Sequence, residues 1–129
     1  MPATAAFIAG DRSLRRRQVD KLYEPSFNLA LGQRFFRHLL DRPGIRGNLF
    51  FAIASYNAGE GNLNKFKVRS DPLLFIEAMH LRETRLYVEK VLYNLWAYRV
   101  RLGQPTPSLD AVAKGEWPIY RPLDGANRN

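Results

Sequence analysis

At 129 residues, 46% of them hydrophobic, the chain is long enough for one domain with a buried core. Twenty Lys and Arg against twelve Asp and Glu leave a net charge of +8, which favours acidic partners such as nucleic acid, anionic lipid or a carboxylate-bearing cell-wall polymer. With no cysteine and only His38 and His80, there is no basis for a disulfide framework, a thiolate site or a His-rich metal site, and no apolar run approaches the ~18 residues that a membrane-spanning helix needs.

The opening residues, MPATAAFIAGDRS, predict a short helix over Pro2–Ala9 with Gly10 after it. They make a poor export signal, because they lack a positive n-region and Gly10 and Asp11 interrupt the apolar part. Arg12, Arg15, Arg16, Arg17 and Lys21 follow as a charge run. It reads as a solvated loop or polar helix face; the sharper alternative is a phosphate-binding stripe. No aromatic residue interleaves with the arginines, which argues against single-stranded nucleic acid. Tyr23-Glu24-Pro25 is a break, after which Asn28 is expected to cap a helix to about Asp41. Leu31, Phe35 and Leu39 recur at helical spacing there, beside Phe36 and Leu40, with Arg34, Arg37 and His38 on the other side. Arg42–Asn48, RPGIRGN, is a turn-rich connection.

The stretch Ala52–Gly61, AIASYNAGEG, carries the strongest functional signal. Asn48 is expected to cap a helix that is apolar on nearly every face (Leu49, Phe50, Phe51, Ala52, Ile53, Ala54), so that helix should be buried. Gly59 is expected to end it in the left-handed conformation. Tyr56 and Asn57 then sit at the end of a buried helix beside a loop of small residues. That place suits a sugar ring, because a phenol packs on C–H faces and an amide both donates and accepts. The bland alternative is a Tyr and an Asn that merely close a helix.

Beyond it, Asn62 is expected to cap a short helix over Leu63–Lys67, and Asp71-Pro72 to open one over Leu73–Ala78. The longest element should run from about Arg82 to Leu102, stopped by Gly103, with Leu86, Val88, Val91, Leu92, Leu95, Trp96 and Leu102 as a broad apolar face. After two prolines, Ser108 is expected to cap a last helix to about Lys114. Glu116–Asn129 reads as an extended tail that fastens partly onto the body. No alternating strand pattern and no repeat is visible, so the fold class is all-α. The division expected is 1–103 as the main domain and 104–129 as a Pro-containing extension.

Several motifs stand in a fixed order: MPATA (Met1–Ala5), LYEPSFNLALGQRFFRHLL (Leu22–Leu40), AIASYNAGEGNL (Ala52–Leu63), DPLLFIEAM (Asp71–Met79) and RETRLYVEKVL (Arg82–Leu92). Over about Met1–Arg99 the series resembles the soluble lytic transglycosylases, a lysozyme-like family acting on bacterial peptidoglycan. The resemblance implies a lysozyme-like helical fold and cleavage of the β-1,4 bond between N-acetylmuramic acid and N-acetylglucosamine. The muramyl 6-hydroxyl attacks its own anomeric carbon to leave a 1,6-anhydro ring, and one glutamic acid serves as acid and then base. This departs from the two-carboxylate arrangement of most glycosidases. The resemblance implies no cofactor and no metal, a glycan strand of peptidoglycan as partner, and a periplasmic or cell-envelope location.

Matched residue by residue, Met1 falls on the groove-lining methionine of the family's MPxTA motif, and Tyr56 and Asn57 on its tyrosine and asparagine beside the reacting sugar. Glu83 and Tyr87 fall on the groove-facing glutamate and tyrosine of the long helix, at i, i+4 spacing on one face. Without the resemblance, Glu83 reads as a partner of Arg82, Arg85 or Tyr87. Two departures stand out. Met79-His80-Leu81 occupies the place where the family usually has a proline, and the family's catalytic glutamate belongs to a Glu-Ser motif upstream of MPxTA, where this chain begins. No catalytic residue is therefore assigned here, and Glu60 is the carboxylate nearest to Tyr56-Asn57 in sequence. The resemblance implies an N-terminally truncated enzyme domain, expected to be inactive alone; the alternative is a non-catalytic peptidoglycan-binding relative. With the upstream helices absent, the helix over Leu49–Asn57 is expected to be left partly uncovered.

Overall fold

A computed structural model describes residues 2–66 and 70–122. The chain forms seven α-helices and two short 3-10 helices in this range, grouped in two compact units, Met1–Leu39 and Leu40–Asn129. Strand-like pairing among the described residues is limited to an isolated antiparallel bridge between Asn48 and Ile119, so the all-α class holds.

In the first unit, α1 (Pro2–Ala9) ends as expected at Gly10. Gly10 N–H donates to the Phe7 carbonyl and Asp11 N–H to that of Ala6, so two of the last carbonyls of α1 are satisfied. The arginine run spans the 3-10 helices at Arg12–Arg15 and Val19–Tyr23 and the turn between them, and Arg12, Arg15, Arg16, Arg17 and Lys21 are all exposed, as expected of a solvated charge run. Ala6 and Leu14 are the buried apolar residues here, and α1 packs against the first of these short helices. The Asp11 carboxylate accepts from the Ser13 N–H, and the hydrogen bonds from Ser13 hold it below the usual carboxylate range. Helix α2 covers Pro25–Leu40 and starts three residues before the expected cap. Pro25 supplies the first helical φ, and Asn28 sits inside the helix with its amide donating to the Leu22 carbonyl. Leu31 and Leu39 are buried, as their spacing predicts, and His38 meets the Phe7 ring edge-on at 5.7 Å.

The second unit is built around α3 (Leu49–Ala58). The Asn48 side chain accepts from the N–H groups of Phe50 and Phe51, as expected of a cap. Leu49, Phe50, Ala52, Ile53, Ala54 and Ser55 are buried, so α3 is not left uncovered. Its cover is α6 (Arg82–Arg101), α5 (Pro72–Glu77) and the tail. The Phe75 ring of α5 lies 5.1 Å from Phe51. Trp117 in the tail lies 6.4 Å from Phe50, 5.0 Å from Phe51 and 5.8 Å from Phe75. The tail is fastened on both sides of Ile119: Leu49 N–H donates to the Pro118 carbonyl and Tyr120 N–H to that of Gly47. Gly47 is needed here because its φ is +76° and a Cβ would stand 3.3 Å from the Ile119 side chain.

Several starts and faces differ from expectation. α4 is one turn, Glu60–Leu63, and Asn62 lies within it, its amide donating back to the Ala58 carbonyl at the end of α3. The expected end of that helix, Lys67, lies outside the described residues. α7 runs Pro107–Ala113, because Pro107 fixes the first φ and the Ser108 hydroxyl accepts from the Trp96 indole instead of capping. The face of α6 is narrower than the sequence predicts: Thr84, Val88 and Leu92 are its buried stripe, while Leu86 and Leu102 are exposed. Trp117→Ala should lower stability by about 3 kcal/mol, the lower end for removing a large aromatic side chain, with Trp117→Phe retaining most of it. Urea unfolding measures this; an unchanged midpoint for the alanine variant would show that the tail does not close the core.

Candidate functional site

Of the candidate residues that can be placed, Tyr56, Asn57 and Tyr87 lie where α3 ends against the first turns of α6, and Glu83 is in the first turn of α6. Asn57 is in the last turn of α3, Thr84 is the third residue of α6, and the Thr84 hydroxyl donates to the Asn57 side-chain oxygen at 2.8 Å. Tyr56 precedes Asn57 and Tyr87 lies one turn beyond Glu83. The two phenol rings are parallel within 2°, with centroids 6.5 Å apart, an offset stack. Tyr56, Asn57 and Tyr87 are half-buried, so each keeps a solvent-facing part.

This junction follows from local sequence. α3 stops because Gly59 adopts φ +88° and ψ 148°, an extended conformation at positive φ that is open essentially to glycine alone. It is not the left-handed conformation expected, but it has the same consequence: the chain leaves the helix axis directly after Asn57-Ala58. A Cβ at Gly59 or Gly61 would meet nothing within 4 Å, so the loop beside the tyrosines leaves open space. α6 arrives with Leu81 as its first cap, which offers no side-chain hydrogen bond. Its buried stripe, Thr84, Val88 and Leu92, sets Tyr87 at the edge of the packed surface.

Glu83 is exposed in the first turn of α6, where a negative charge complements the free N–H groups of a helix start. The geometry therefore joins Tyr56 to Tyr87 directly and Asn57 to α6 through Thr84, and Glu83 precedes Thr84 on the same turn. Met1 lies outside the described residues. Glu60 is half-buried, and its carboxylate is 2.9 Å from the Arg42 guanidinium, tying the Gly loop to the turn before α3. His80 is exposed, with its ring 5.4 Å from that of Phe66. No group of His, Asp and Glu that could hold a metal occurs among the described residues. Sequence reasoning missed Thr84; its only signal was a polar residue on the helix stripe that otherwise reads Val88, Leu92.

Comparison with known proteins identifies the class of domain. The Transglycosylase SLT domain family matches residues 1–73, and the chain belongs to that family. It is 34% identical over 109 residues to a soluble lytic murein transglycosylase of Salmonella typhimurium, covering 81% of this chain and 17% of that protein. It is 31% identical over 101 residues to the enzyme of the same description from Escherichia coli K12, covering 75% of this chain and 15% of that protein. The chain thus spans under a fifth of the length of these relatives. No solved structure matches it.

Burial pushes the Tyr87 phenol above its ordinary value, and the nearby Tyr56 adds to the shift. Because the folded-state value is raised, the stability Tyr87 contributes is fully present below its unfolded value of about 10 and is lost as pH rises through the folded value. Wild type should therefore lose melting temperature more steeply than Tyr87→Phe above about pH 10. Parallel melting curves across that range would show that the phenol is not shielded.

Proposed function

We propose that this chain binds the glycan strand of peptidoglycan at the α3–α6 junction, as part of a lytic transglycosylase of the cell envelope. Tyr56 and Tyr87 would present ring faces to sugar C–H surfaces, Asn57 would hydrogen-bond to the sugar beside the cut bond, and Glu83 would line the groove. Met1 joins this set on the strength of its motif. The reaction is cleavage of the β-1,4 bond between N-acetylmuramic acid and N-acetylglucosamine with formation of the 1,6-anhydro ring. The observation that carries the reading is the convergence of Tyr56, Asn57 and Tyr87, from two separate helices, in a chain of the SLT family. The relatives named above are described as acting on murein, which supports the substrate class and the envelope location.

The 129 residues alone should bind without cutting. A carboxyl group that protonates a leaving oxygen near neutral pH needs an apolar, water-shielded setting. Among the described carboxylates all are exposed except Glu60, and Glu60 is held by Arg42. The purified chain should co-sediment with insoluble peptidoglycan and release no anhydro-muropeptides, and Tyr56→Ala should weaken co-sedimentation about tenfold, the loss of one stacking contact of ~1.4 kcal/mol. Anhydro-muropeptides abolished by Glu60→Gln would instead make Glu60 the acid, and undiminished binding by Tyr56→Ala would remove the junction from the site.

A further inference from the structure

We infer that Thr84 is a positioning residue that makes Asn57 a hydrogen-bond donor towards the ligand; the inference rests on the glycan reading above. Asn57 carries one accepting oxygen and one NH2 group with two donors, and a free amide can present either by turning about its last bond. Here the choice is made. Thr84 is 2% exposed, and its hydroxyl donates to the Asn57 oxygen at 2.8 Å. Turning the amide would leave the Thr84 hydroxyl accepting from the NH2, and its own proton would then need another acceptor away from water. The Asn57 NH2 makes no hydrogen bond among the described residues, so it is the half of the amide left for an outside group.

The consequence is a specificity statement. Asn57 selects a ligand atom that accepts: the carbonyl oxygen of an N-acetyl group, a hydroxyl oxygen or a glycosidic oxygen. Tyr56, adjacent to Asn57 in the chain, and Tyr87, stacked on Tyr56, supply half-buried aromatic rings at the same helix junction, and an N-acetylated sugar uses a donor together with aromatic faces. Thr84 does this from the buried stripe of α6, out of reach of the ligand. The same hydrogen bond fixes the end of α3 against the start of α6.

The test is isothermal titration of the 129-residue chain with a GlcNAc–MurNAc tetrasaccharide, together with thermal unfolding of each variant. Thr84→Val keeps shape and removes the donor; it should weaken binding about tenfold, the effect of one misplaced hydrogen bond. Thr84→Ser restores the hydroxyl and should restore affinity. Asn57→Asp keeps an oxygen for Thr84 and removes the NH2, and should lose at least as much affinity as Thr84→Val while melting near wild type. If the wild type binds and Asn57→Asp binds equally well, the outward group is an acceptor and the inference is overturned while the glycan reading stands. It is also overturned if Thr84→Ser and Thr84→Val lose affinity alike in step with melting temperature, since Thr84 is then only structural. A wild type that does not bind the tetrasaccharide overturns the glycan reading itself, and the Thr84 inference with it.

Discussion

A helix that is apolar all round has to be covered all round, and in this chain α3 imposes that demand. Phe50, Ala52, Ile53, Ala54 and Ser55 leave it no face for water. Each large apolar side chain so buried contributes ~1.5–3 kcal/mol, so a few uncovered positions would consume much of a stability of ~5–15 kcal/mol. The cover is assembled from distant segments: the stripe of α6, Phe75 of α5, and Trp117 of the tail. The cover ends where α3 ends, at Tyr56-Asn57, because Gly59 turns the chain away. The candidate site is thus the place where burial stops, with Tyr56, Asn57 and Tyr87 each half-buried.

Much of the fold was legible because its signals are local. The cap at Asn48, the Asp71-Pro72 start and the stop at Gly103 each depend on one or two residues meeting the orphan groups of a helix end. The starts that moved share one cause. Asn28, Asn62 and Ser108 all look like caps, yet a proline already opens α2 and α7, Gly59 opens α4, and each polar side chain is engaged elsewhere: with Leu22, Ala58 and Trp96. Capping residues and backbone acceptors compete, and sequence shows the candidate without the competitor. The breadth of the α6 face was overread for a different reason. Leu86 and Leu102 follow the helical spacing but are exposed, Val91, Leu95 and Trp96 are half-buried, and Thr84, Val88 and Leu92 form the buried stripe.

The site was legible through order more than composition. Tyr56-Asn57 and Glu83-Thr84-Arg85-Leu86-Tyr87 are unremarkable pieces, and their meaning comes from standing in sequence with the other motifs of the SLT family, to which the chain belongs. What order could not show is the hydrogen bond between Thr84 and Asn57, which joins residues 27 positions apart. It ties the two pieces into one geometry and gives the amide a direction.

The central claim is that the α3–α6 junction is the glycan-contacting surface, and the most direct measurement is an NMR titration of the isotope-labelled chain with a GlcNAc–MurNAc oligosaccharide. The account predicts that shift changes centre on the Asn57 side-chain NH2 and on Tyr56, Glu83 and Tyr87, fading along α6 beyond Leu92. Changes centred on Arg12–Arg17, with the Asn57 amide unmoved, would contradict it.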